Sequence, residues 1–114
     1  RLPRRHGDLW IGNTGATPPP EEGPVVFDPS CVFGHSELDL ALGDLFGGFS
    51  PAFHDAYHAV LPKAAGFEER GRVYALYHYL NQLNLFGDPH VAAKCAELMR
   101  TILGDAQPPT PAAA

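Results

Sequence analysis

Basic residues are in short supply in this chain. Eight Lys and Arg stand against thirteen Asp and Glu, a formal charge of −5. A surface that grips nucleic acid neutralises phosphates with surplus positive side chains, so this balance argues against a nucleic-acid partner. It also leaves no basic patch for a membrane surface. Cysteine is scarce as well: Cys31 and Cys95 lie far apart and form no CxxC pair. That leaves neither a disulfide framework nor a zinc knuckle, and it fits a reduced, cytoplasmic setting. No apolar run reaches the roughly eighteen residues of a membrane span, and no charged-then-apolar leader stands at the front. An initiator methionine is missing too. The chain opens at Arg1, a few residues ahead of its strongest motif, and reads as a fragment.

What is present is enough for one compact domain. The chain has 114 residues, 45% of them hydrophobic, which supports one modest core and not two. Proline and glycine, twelve of each, gather near the ends and in turns, while the middle is periodic, so the composition is globular. No internal repeat is evident.

Along the chain, "RHGDLWIGNTGAT" and "GPVVFDP" read as extended segments flanking "TPPPEEG", whose prolines and glycine mark a surface loop. The expectation is a hairpin with a stiff tip. After "SCVFGH", Leu38, Ala41, Leu42, Leu45, Phe46 and Phe49 recur at helical spacing, with Ser36 as cap and Asp39 three residues on. Ser50-Pro51 supplies a second cap with proline at the first helical position. A longer helix follows, with Val73, Leu76, Tyr77, Leu80, Leu83 and Asn84 as its inward stripe and Gly87 as its end. Tyr74, Tyr79 and Phe86 read as core, and Asn81 and Asn84 as buried hydrogen-bonders. Asp88-Pro89 opens a last helix with Val91, Cys95, Leu98, Met99 and Ile102 facing inward and Gly104 stopping it. Residues 105–114 read as a disordered tail. The fold class is α+β: a small hairpin on four helices, with 1–104 as one lobe.

The stretch "HGDLWIGN", His6 to Asn13, carries the chemistry. Phosphoryl transfer needs a carboxylate that orients the attacking hydroxyl and accepts its proton, and oxygen ligands that hold magnesium against the nucleotide phosphates. Asp8 can be the base. Asn13 can offer a carbonyl oxygen to the metal, and Asp28, at the end of "VVFD", can hold it from the second extended segment. An H-x-D-x-x-x-x-N pattern followed by a strand ending in Asp is the arrangement of catalytic and metal loops in protein-kinase-like folds.

Together with "VVFDPSCVFGHSELDLAL", "LFGGF", "PKAAGFEER" and "LYHYLNQLNLFG", this stretch closely resembles the C-terminal lobe of the fructosamine kinase, or ketosamine-3-kinase, family, from about His6 to Gly87. The short motif alone points only to the wider group of aminoglycoside phosphotransferase and choline kinase-like enzymes. Trp10, "FGHSE" and "FGGF" narrow it. The resemblance implies a mainly helical C-terminal lobe of a protein-kinase-like fold with a small catalytic-loop hairpin. It also implies an enzyme, dependent on ATP and Mg2+, that phosphorylates the 3-hydroxyl of ketosamines on small amines or glycated protein lysines. The phosphorylated adduct then falls apart, a deglycation repair. By that resemblance Asp8 is the catalytic base, Asn13 and Asp28 are metal ligands that also serve the nucleotide, Trp10 is a wall for the sugar, His6 supports the loop, and Asp39 braces it.

Other readings of the same residues stand beside this one. Asp8 and Asn13 can be turn formers, Asp39 a first-turn helix charge, and Trp10 plain core. A metal-dependent hydrolase using His6, Asp8, Asp28 and His35 lacks the paired histidine spacing that such sites favour. His54 and His58 share a helix face without the Glu of a zinc-protease helix, and read as surface or half-buried residues.

Kinase-like sites also need a glycine-rich phosphate cover and a lysine from the smaller, N-terminal lobe. Neither is evident: "GNTGAT" lacks a lysine, and Lys63 and Lys94 fall in a turn and a late helix. Without that clamp the site forgoes several kcal/mol of electrostatic stabilisation, so the chain alone is expected to turn over little. The missing lobe is therefore the expected packing partner. The rival expectation is a shortened relative that has lost transfer and serves as a binding or interaction module.

Overall fold

The computed structural model describes residues 2–106. In chain order it contains β1 (Arg4–Arg5), a 3-10 turn (Ile11–Asn13), β2 (Thr14–Thr17), β3 (Gly23–Val26) and β4 (Val32–Phe33). Four helices follow: α1 (Ser36–Leu45), α2 (Pro51–Val60), α3 (Phe67–Phe86) and α4 (Pro89–Ala106). Two compact units divide the chain, one ending at Ala75 and the other beginning at Leu76.

In the first unit, the expected hairpin forms between β2 and β3, antiparallel with Thr14 opposite Val26 and Thr17 opposite Gly23. The proline-rich stretch is its tip and contains a cis Pro19–Pro20 peptide. The first extended segment is shorter than the sequence suggests. It is strand only at Arg4–Arg5 and again from Thr14, because the backbone between them turns through Gly7 (φ +83°) and then coils at Ile11–Asn13. β1 pairs instead with β4, Arg4 opposite Phe33 and Arg5 opposite Val32, in a second small ribbon.

α1 supplies the buried centre of this unit, with Leu40 and Leu42 buried beside the acidic Glu37 and Asp39. Ser36 is not its cap. His35 occupies that position with extended backbone and no side-chain cap bond, so Ser36 becomes the first helical residue and Asp39 is free to bond elsewhere. Phe46 is already the C-cap, and Phe49 lies beyond the helix, stacked on Phe53 with ring centroids 4.3 Å apart. α2 starts as expected: Ser50 Oγ accepts the Phe53 N–H at 3.2 Å, and Pro51 opens the helix. His54 and His58 on it are half-buried.

α3 ends at Gly87, whose φ of +68° suits glycine, and its N–H donates to the Leu83 carbonyl. The inward stripe expected of this helix is out of phase. Val73, Tyr77, Leu80, Asn84 and Phe86 are exposed, whereas His78 is buried and Tyr74, Leu76, Tyr79 and Leu83 are half-buried. Asn81 is exposed as well, so neither asparagine is a buried hydrogen-bonder. Apolar spacing fixes the period of a helix but not which side finds a partner.

In the second unit, Asp88 caps α4 by accepting the His90 N–H at 2.8 Å. Cys95 is buried, and Val91, Leu98 and Ile102 are half-buried, but Met99 is 40% exposed. Gly104 does not stop the helix, which continues to Ala106. The remainder of the expected disordered tail lies outside the described residues. No helix among the described residues is long and apolar enough to cross a membrane.

Candidate functional site

The loop from His6 to Asn13 is held from two sides. On one side, the Asp39 carboxylate on α1 accepts the His6 N–H at 3.1 Å and the Gly7 N–H at 2.8 Å. On the other, the chain returning from β3 runs against it. His6 Nε2 lies 2.9 Å from the Phe27 carbonyl, and His6 Nδ1 accepts the Asp8 N–H at 3.3 Å, which puts the ring proton on Nε2. At Gly7 a Cβ would sit 1.9 Å from the Ser30 carbonyl oxygen, so the two backbones approach as closely as only glycine allows.

Asp8 and Asn13 meet across this loop. The Asn13 side-chain amide donates to the Asp8 backbone carbonyl at 2.9 Å and to Asp8 Oδ2 at 3.0 Å. Asn13 is buried, 7% exposed, and its amide orientation follows from these two acceptors. Its Oδ1 is then the atom left over, a hard oxygen suited to a magnesium-type cation. Asp28 reaches the same neighbourhood through the sheet: the Phe27 N–H donates to the Asn13 carbonyl at 3.0 Å, extending the hairpin by one pair. Asp28 follows directly, exposed and in the left-handed region with φ +54°. A donor set of one carboxamide oxygen and one carboxylate fits Mg2+ in type.

Trp10 is half-buried, its ring centroid 5.4 Å from that of Phe46 at a 57° tilt. Gly12 lies under the same indole, where a Cβ would come within 2.3 Å of ring carbon. The outer, six-membered ring of the tryptophan thus lies against Gly12, with Phe46 beside the indole.

The histidines of the hydrolase reading are engaged elsewhere. Both ring nitrogens of His6 serve the backbone, and His35 Nδ1 lies 2.8 Å from the Tyr74 hydroxyl. Among the described residues no group of three His, Cys, Asp or Glu side chains converges to hold a metal ion. The lysines are also committed: Lys63 pairs with Glu68 at 2.8 Å and Lys94 with Glu97 at 3.0 Å. Arg4 sits over the Phe33 ring, and Arg5 Nε donates to the Gly34 carbonyl at 2.9 Å.

One support was not legible in the motif. Glu37, buried on the first turn of α1, takes Arg70 Nε at 2.7 Å and Arg70 Nη2 at 2.8 Å in a two-pronged ion pair. The Arg70 hydrogen bonds hold the Glu37 carboxyl below its ordinary pKa against the opposing effect of burial. This pair ties α1, and with it Asp39, to the start of α3. An acid on α1 and a basic residue 33 positions on offer no local signal.

The mouse (Mus musculus) ketosamine-3-kinase is 51% identical over 82 residues, covering 72% of this chain and 26% of the relative. A chloroplastic protein-ribulosamine 3-kinase from Arabidopsis thaliana is 49% identical over the same length, 72% of this chain and 24% of the relative. A crystal structure from Thermobifida fusca, described as a candidate fructosamine-3-kinase, superposes with a TM-score of 0.73 at 36% identity, covering 89% of this chain and 34% of that one. The chain therefore spans about a quarter of the length of these curated relatives. A model of the fructosamine kinase family matches residues 5–105, past Gly87 and along α4, and the chain belongs to that family.

Proposed function

We propose that residues 1–104 form the C-terminal catalytic lobe of an ATP- and Mg2+-dependent ketosamine-3-kinase, acting on fructosamine or ribulosamine adducts of small amines or protein lysines. The observation that carries this reading is the Asp8–Asn13 contact inside a loop whose backbone is held by Asp39. The names of the mouse and Arabidopsis relatives support the substrate class.

Asp8 is the base in this reading. Asn13 fixes its Oδ2, which leaves Oδ1 to orient the sugar 3-hydroxyl and accept its proton as the oxygen attacks the terminal phosphorus and the bond from that phosphorus to the bridging oxygen breaks, releasing ADP. Asn13 Oδ1 and the Asp28 carboxylate are the groups that would hold Mg2+, which when bound neutralises charge on the phosphates. His6, spanning Phe27 and Asp8 through its ring, keeps the loop and the returning strand in step. Trp10 presents a flat apolar face to the sugar. The glycine-rich phosphate cover and its lysine would come from an N-terminal lobe, since Lys63 and Lys94 are tied to carboxylates. Cys31 and Cys95 are free thiols, in keeping with a cytoplasmic setting.

A binding module that has lost transfer is the second reading, favoured by large apolar side chains left open, such as Val60 at 87% and Phe86 at 72% exposure. Phosphoryl transfer from Mg-ATP to fructosyl-lysine by the native polypeptide, followed by phosphorus NMR with Asp8→Asn as control, separates the two. Transfer that disappears in the control supports the kinase. A folded native polypeptide without transfer supports the module.

A further inference from the structure

A cleft of about 410 Å³ opens in the first unit, lined among others by Arg5, Tyr57, His58, Leu61, Phe67 and Arg70. None of Asp8, Asn13 and Asp28 lines it, although the Glu37–Arg70 pair that braces α1 does. The volume falls within the range of small-molecule sites, which combine apolar walls with a few polar groups.

Electrostatics narrow the occupant. Glu37 is the one acidic residue among the described lining, and both its oxygens are taken by Arg70. Arg70 spends its remaining Nη1 on the Ala65 carbonyl at 2.7 Å. These two residues therefore cancel as a closed pair. Arg5 is different: its Nε donates to Gly34, and among the described residues its two terminal nitrogens meet no acceptor. Among the described residues the Tyr57 hydroxyl likewise meets no hydrogen-bond partner, while its ring packs with those of Phe53 and His58. What the cleft offers is one arginine cation without a carboxylate partner among the described residues, the hydroxyls of Tyr57 and Ser36, the rings of His35 and His58, and the apolar surfaces of Leu61 and of Phe67, over which Lys63 also lies at 4.8 Å.

A single guanidinium fork matches a single carboxylate in charge and shape. A bare phosphate would carry more charge than Arg5 balances and would leave the apolar walls uncovered. We propose that this cleft is a second ligand site, binding a small organic monocarboxylate with its carboxylate on the Arg5 terminal nitrogens and its apolar body against Phe67 and Leu61.

Calorimetric titration of the full chain with benzoate tests this, with neutral benzamide and inorganic phosphate as comparison probes. The expected result is saturable benzoate binding, at least tenfold weaker for either comparison probe. Arg5→Gln should weaken benzoate at least tenfold with the circular dichroism spectrum unchanged. Leu61→Glu, which adds a like charge to the lining without touching Arg5, should do the same and serves if Arg5→Gln fails to fold. Lack of saturation by benzoate, equal binding of benzamide or phosphate, or unaltered affinity in a folded variant would each overturn the proposal.

Discussion

Gly7 and Asp39 stand 32 residues apart in sequence, yet the Gly7 N–H donates to Asp39 Oδ1 at 2.8 Å. The neighbouring His6 N–H takes the other carboxylate oxygen at 3.1 Å, so one side chain on α1 sets the path of the loop that carries Asp8. Removing the carboxylate leaves two backbone donors without their acceptor. Asp39→Ala is expected to cost about 2–4 kcal/mol, and Asp39→Asn, which keeps one acceptor, about half of that, read from urea unfolding midpoints. Equal stability of Asp39→Ala and the parent chain would refute the brace.

At Gly7 the expected effect is steric. A methyl group there would collide with the Ser30 carbonyl, and the φ of +83° already disfavours any other residue. Gly7→Ala should destabilise by about 2 kcal/mol or more. Gly34→Ala is the comparison, because a Cβ at Gly34 meets no atom within 4 Å; it should change stability by about 1 kcal/mol at most. Thermal melts of the two variants side by side give the answer.

The Glu37–Arg70 pair predicts a pH dependence. Glu37 is held below its ordinary pKa when folded, chiefly by the Arg70 hydrogen bonds. Its stabilising effect is therefore complete above the ordinary carboxylate pKa and is lost as pH falls through the lower, folded-state value. Glu37→Gln should melt below the parent at neutral pH, and the gap should narrow as the pH falls below the ordinary carboxylate range. A gap that stays constant across that range would assign the loss to packing instead of charge.

Ser50 offers a local test. Its Oγ accepts the Phe53 N–H at 3.2 Å at the start of α2. Ser50→Ala should cost about 1 kcal/mol and Ser50→Asp should be close to neutral, both measurable by chemical denaturation.

The features legible in the sequence are the local ones. Ser50-Pro51, Gly87 and Asp88-Pro89 act within a few residues, so the helix boundaries they mark appear where the sequence puts them. Ser36 and Asp39 satisfy the same local rule but yield to a distant demand: Asp39 bonds to His6 and Gly7, and His35 takes the cap position. The inward phase of α3, the end of α4 and the Glu37–Arg70 pair depend on which surfaces meet. No short window of sequence encodes that. At the site, the motif supplies Asp8, Asn13 and Asp28, while the contact between Asp8 and Asn13 and the support from Glu37 and Gly7 emerge only from the folded chain.

The β2–β3 hairpin works as a ruler. Because Thr14 faces Val26 and the ladder extends through Asn13 and Phe27, the placement of Asp28 relative to Asn13 is counted from the paired residues and not from the proline-rich tip. Lengthening or shortening the tip between Thr17 and Gly23 leaves that count intact. A single residue inserted between Asn13 and Thr14 shifts it by one and turns the side chains on that strand to the opposite face. The two candidate metal-holding residues are thus tolerant of change at the far end of the hairpin and intolerant of it at the near end.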